Sequence, residues 1–154
     1  MLDKTPVRLL TLVARVGVGC VFLFAAVGKI EDPAGFALSI ANYHLVPDGV
    51  ATVMAAVMPL LEIVVGLSLV TGLHARGAAL LSAGMLAVFA IAMTQAILRD
   101  IDVDCGCFGK AATARVGWPT VARNVGLVVA SVLVMLSQDV PWTLRSRAER
   151  ARRD

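Results

Sequence analysis

Residues 50–73 read VATVMAAVMPLLEIVVGLSLVTGL. In this stretch only Glu62 is ionisable, and only Pro59 is a strong helix breaker. A helix crossing about 30 Å of hydrocarbon needs about 20 residues, and this stretch is long enough. Backbone groups in lipid have no water to bond, so they must bond within the segment, as a helix does. The alternation of polar and apolar residues that marks a membrane barrel strand is absent. The stretch therefore reads as a membrane-spanning helix, with a kink expected at Pro59, whose missing N–H removes one helix bond.

Three further stretches repeat the pattern. They run from about Leu9 to Ile30, from about Gly77 to Leu98 and from about Trp118 to Leu136. Hydrophobic residues make up 58% of the 154 residues and charged residues only 16%, with mean hydropathy +0.83. A soluble domain of this size carries about a quarter charged residues, because it has a wet surface to cover. The deficit predicts a lipid-facing exterior. The expected architecture is all-α, a polytopic membrane protein built as a four-transmembrane-helix bundle over residues 1–142, followed by a basic tail at 143–154. Arg15 interrupts the first apolar run and no small-residue cleavage site follows it, so that run reads as a retained span with signal-anchor character.

Between the first two spans lies EDPAGFALSIANYHLVPD, residues 31–48. Phe36, Ile40 and Tyr43 fall on one helical face, which predicts a short helix in the membrane interface; a simple tethering loop is the alternative. Pro33 and Pro47 bracket the segment, and Pro119 suits the first turn of the fourth span.

The charges give an orientation. Four spans place both termini on one side, with Lys4, Arg8, Arg76 and the tail arginines Arg145, Arg147, Arg150, Arg152 and Arg153. The other side carries Lys29, Arg99, Lys110 and Arg115. An excess of Lys and Arg marks the cytoplasmic side, so both termini are expected in the cytoplasm of a plasma (inner) membrane protein. Beside hydrophobic spans, the basic tail suits anionic lipid, and nucleic acid is not expected as a partner.

One of the few polar stretches is DIDVDCGCFGKAATA, residues 100–114, between the third and fourth spans. The orientation puts it on the outer side, where disulfides persist. Cys105 and Cys107 flank Gly106. A turned or extended backbone sets such Cα atoms about 5 to 7 Å apart, in or near the disulfide range. The ring so closed is small, hence strained and suited to exchange, and Gly106 supplies the turn it needs. Lys110 and Lys29, with Arg123 below, favour a thiolate, whereas Asp100, Asp102 and Asp104 oppose it. The pair could instead be a passive disulfide, a soft-metal site for copper or zinc with help from His44, or two inert thiols. Cys20, within the first span, reads as a small packing residue.

Arg15, Glu62 and Arg123 lie inside spans, with Gln95 and Asn124. Ionised groups at such depth should pair and face the bundle interior. Either arginine could reach Glu62. The result would be a buried ionic clasp that fixes helix register, or a polar site beneath the cysteine loop that handles protons or holds a quinone-like ligand, with Asn124 adding a hydrogen bond.

These residues also carry a resemblance. GKIEDPAGF at the end of the first span, YHLVP before the second, PLLEIVVGLSLVTG within it, DCGCFG after the third and ARN in the fourth resemble the MauE/DoxX family of small membrane proteins. The match runs roughly from Arg15 to Val128, and DCGCFG is its most specific part. The resemblance implies a four-helix membrane protein that acts with an exported thioredoxin-like partner in forming disulfides. Cys105 and Cys107 match the family's Cys-x-Cys, and Lys29, Glu62, Arg123 and Asn124 match its polar positions. The expected function is thus thiol–disulfide exchange by the Cys-Gly-Cys loop. A metal-handling protein and a non-catalytic assembly subunit are the other readings.

Overall fold

The computed structural model describes residues 4–101 and 116–137. Five helices follow in chain order: α1 (Lys4–Glu31), α2 (Pro33–Asn42), α3 (Asp48–Thr71), α4 (Ala75–Leu98) and α5 (Trp118–Leu136). Four of them, α1 from Leu9 onward, α3, α4 and α5, are long and apolar enough to cross a membrane. The described residues thus form an all-helical, multi-pass bundle, as expected. The tail at 143–154 and the segment holding Cys105, Gly106, Cys107, Gly109, Lys110 and Arg115 lie outside the described residues.

Local chemistry sets the helix ends. Asp32 caps α2, its carboxylate accepting from the Gly35 N–H at 3.1 Å, and Pro33 occupies the first turn. A Cβ at Gly35 would collide with that carboxylate, so the glycine keeps the cap in place. At the far end of α3, Gly72 takes φ 78, a left-handed conformation open to glycine at no steric cost, and its N–H bonds to the Ser68 carbonyl. Between these ends α3 runs unbroken through the buried Pro59.

Glycine also sets the α1–α3 crossing. A Cβ at Gly19 would sit 2.8 Å from Val70 Cγ2 and 3.0 Å from the Gly66 carbonyl oxygen, and one at Gly66 would sit 2.9 Å from the Gly19 carbonyl oxygen. Without a water-driven hydrophobic effect between helices in lipid, close backbone approach is what lets dispersion hold them together. On the opposite side, α4 and α5 run antiparallel: the Ser82 and Ser131 hydroxyls are 3.0 Å apart, Asn124 donates to the Leu86 carbonyl at 3.4 Å, and Arg76 donates to the Ser137 carbonyl at 3.4 Å. Contacts of α1 with α5 and of α3 with α4 close the ring, and α2 packs on α3.

The interior is small and tightly packed, with Val18, Phe22, Val65, Leu69, Ala79, Leu86 and Val134 in one cluster. Large side chains such as Leu60, Val64, Leu80, Val88 and Ile91 are about 60% exposed and form the outer surface. In water that would be an aggregation hazard; in hydrocarbon it is the expected exterior. Cys20 belongs to this exterior. The expectation that it packs inside is therefore corrected: it falls on the opposite side of α1 from Val18 and Phe22.

Candidate functional site

The inward face of α1 carries Thr11, Arg15, Val18, Phe22, Ala25, Ala26 and Lys29, all buried. Steps of three and four residues keep them on one stripe of a helix with 3.6 residues per turn. The inward face of α3 carries Ala51, Ala55, Pro59, Glu62, Val65, Gly66 and Leu69 by the same spacing. Both stripes therefore bury charge: Arg15, Lys29 and Glu62 are each 2–3% exposed.

Side-chain direction decides which charges meet. Helical side chains lean toward the N-terminus of their own helix. From the Gly19–Gly66 contact, Lys29 lies about 15 Å along α1 and Glu62 about 6 Å along α3 toward the same end of the bundle, at 1.5 Å per residue. Because the helices are antiparallel, Lys29 leans back toward Glu62 and Glu62 leans up toward Lys29. Nζ of Lys29 donates to Oε1 of Glu62 at 2.5 Å.

The sequence-based expectation that Lys29 lies at the outer membrane surface is thus corrected, and of the two arginines read as able to reach Glu62, Arg15 does not. Lys29 does end α1, but its side chain points into the bundle. Arg15 sits on the same stripe two heptads earlier, too far toward the other end to reach Glu62. Its Nε and Nη1 are buried with no hydrogen-bond partner among the described residues.

Aromatic rings complete the surroundings of the ammonium. The Phe36 ring centroid lies 5.1 Å from Nζ and that of Phe89 5.8 Å, both within cation–π range. Phe36 comes from α2, so the short helix closes the end of the ion pair. A cavity of about 40 Å³ adjoins it, lined by Lys29, Glu62, Arg123, Asn124, Leu86 and Phe89 among others. Glu62 Oε2 accepts no hydrogen bond from the described residues. A cavity needs about 10–15 Å³ per water, so this one has room for about three waters but not for a ring. The arrangement can hold water against an open carboxylate oxygen, with the Lys29 side chain as the other wall.

Four of the expected residues, Lys29, Glu62, Arg123 and Asn124, therefore share one cavity, contributed by α1, α3 and α5. Phe89 and Leu86 were not foreseen as part of it, nor Phe36 as the ring over Lys29. The signal for Lys29 was present in the face periodicity of α1; the aromatic partners come from helix packing, which a single-segment reading does not contain. Leu98, which ends α4, and Trp118, which begins α5, both lie at the α2 end of the bundle, the end that holds Lys29.

Comparison with known proteins gives a family match. The family described as Methylamine utilisation protein MauE matches residues 7–137. The chain is 32% identical over 128 residues to Methylamine utilization protein MauE of Paracoccus denitrificans, covering 82% of this chain and 68% of that protein. It is 31% identical over 108 residues to the protein of the same name from Methylorubrum extorquens, covering 70% and 58%, and 32% identical over 112 residues to that of Paracoccus versutus, covering 72% and 60%. The chain thus spans about two thirds of the first relative and about three fifths of the others. No solved structure matches it.

Proposed function

The chain belongs to the MauE family of methylamine utilisation proteins, and from that premise we propose that it is a membrane-embedded thiol–disulfide redox protein. Its reactive pair is Cys105 and Cys107. A thiolate of the pair attacks the disulfide of an exported thioredoxin-like protein or its client, or the oxidised pair accepts a thiolate from one. In either direction a mixed disulfide forms, and the second cysteine resolves it. Gly106 gives the small ring its turn.

The feature that carries this reading is the Cys-Gly-Cys sequence itself, which lies in the chain between Leu98 and Trp118, two helix ends on the same end of the bundle as the buried Lys29–Glu62 pair. A passive staple would gain little from so short a loop, because closing it removes little unfolded-state entropy. The curated relatives are named for methylamine utilisation; the exchange chemistry proposed here depends on the two sulfurs and not on that substrate.

In this reading both termini are cytoplasmic and the cysteine segment faces outward, toward a disulfide-permitting compartment. Burial of Lys29 strengthens the charge argument. It no longer counts as a loop charge, which leaves three basic residues on the outer side against eight on the inner.

Trapping tests the proposal. Cys107→Ser or Cys105→Ser should accumulate a covalent adduct with an exported protein that disappears on reduction. If neither variant yields an adduct under mild oxidation, the exchange reading fails. Impermeant thiol labelling of Cys105 and Cys107 in intact cells checks the orientation; labelling only after the cytoplasm is opened would reverse it.

A further inference from the structure

A second cavity lies between α2, α3 and α4. Its volume is about 190 Å³, and its wall is almost wholly apolar, formed by Phe36, Tyr43, Met54, Met58, Phe89 and neighbours. We propose that this cavity binds the head ring of a lipid-soluble quinone.

Size, lining and access support that assignment. An apolar cavity of about 150 Å³ admits a benzene molecule, so this one has room for a single ring with small substituents. The walls suit a flat ring: three aromatic side chains can stack or meet it edge-on, and two methionines offer adaptable thioether contacts. An acyl chain would gain little here over the lipid-facing exterior, whereas a compact ring fits the enclosed shape. Access is sideways from the bilayer. Leu45 and Val88 both line the cavity, yet they are 44% and 60% exposed on the outer surface. A ligand dissolved in the membrane can enter between them without crossing water. Tyr43, among the lining residues, carries a hydroxyl of the kind able to donate to a ring carbonyl.

The cavity also adjoins the ion pair. Phe36 and Phe89 line it, and both rings lie within 6 Å of the Lys29 ammonium. Ring binding stands on this geometry alone; only the electron-accepting role rests on the thiol reading. In that role, two cysteine thiols lose two electrons and two protons as their S–S bond forms, and the quinone gains both to become a quinol.

The test uses the full chain in nanodiscs and a short-tailed, photoreactive azido-benzoquinone. Labelling should map to the stretches around Met54–Met58 and Val88–Ala92, and an excess of unlabelled short-tailed benzoquinone should remove it, whereas oleate should not. Met58→Trp and Ile40→Trp, which fill the cavity from two helices, should each cut labelling about tenfold. Val53→Trp, on the exterior, should leave it unchanged and serves as the folding control. Labelling should persist in the Cys105→Ser/Cys107→Ser double variant, which separates ring binding from thiol exchange. Labelling spread along the exterior, competition by oleate equal to that by quinone, or indifference to both filling variants would overturn the assignment.

Discussion

Lys29 and Glu62 lie 33 residues apart and meet at 2.5 Å, with the two side chains 2% and 4% exposed. Two opposed leans bring them together, one down α1 and one up α3, after glycine has brought the helices close. A lone buried charge in a membrane helix costs several kcal/mol, so the two residues depend on each other more than either adds to stability. Removing one partner, by Lys29→Met or Glu62→Leu, should destabilise the bundle by about 3 kcal/mol. The double variant should recover most of that loss, since a matched apolar pair leaves no stranded charge. Reversible unfolding in mixed detergent measures all three. Additive losses in the double variant would show that the two residues do not act as a pair.

The glycine contact predicts a sharp contrast between neighbours on one helix. Gly19→Ala should cost about 1–3 kcal/mol, because its methyl would press on Val70 and the Gly66 carbonyl. Gly17 has open space around the same position. Gly17→Ala should therefore be neutral or raise stability by about 0.5–1 kcal/mol through helix propensity. Thermal unfolding of the two variants side by side is sufficient to check this.

The cap of α2 predicts an effect at the ion pair. Asp32→Ala removes the acceptor for the Gly35 N–H and should cost about 1 kcal/mol, while Asp32→Asn should retain most of the cap. Since Phe36 covers Lys29 from the first turn and a half of α2, fraying should loosen that cover. Hydrogen exchange should rise across residues 33–42 in Asp32→Ala and remain near wild type in Asp32→Asn. Unchanged exchange in the alanine variant would mean that packing on α3 alone holds α2.

The four spans, the short helix and the inward placement of Glu62 were legible in the sequence, each for a local reason. Apolar length fixes a span, the shared face of Phe36, Ile40 and Tyr43 marks the short helix, and a carboxylate at such depth has to face inward. The partner of Glu62 was not read correctly, because Lys29 lies near the end of its span and long side chains at helix ends ordinarily turn toward the surface. What turns this one inward is the position of its Cα on the stripe of Val18, Phe22 and Ala25. Cys20 shows the same limit from the other side: its type suggests packing, and its angular position on α1 places it outside. Residue type and depth were therefore informative, and angle about the helix axis decided the pairings.

Arg15 tests that angular argument where no partner compensates. It shares the stripe with Lys29, is 2% exposed, and its Nε and Nη1 have no hydrogen-bond partner among the described residues. Glu62 is held by Lys29 farther up the bundle. A guanidinium so placed keeps its desolvation penalty without an ionic return. Arg15→Met, similar in length and apolar, should therefore raise stability by about 1–3 kcal/mol in neutral detergent. Arg15→Lys should not, because the charge remains and the planar fork is lost. If Arg15→Met lowers stability instead, the guanidinium has an anionic partner in the folded protein; recovering wild-type stability only when anionic lipid is added would identify that partner as a lipid headgroup.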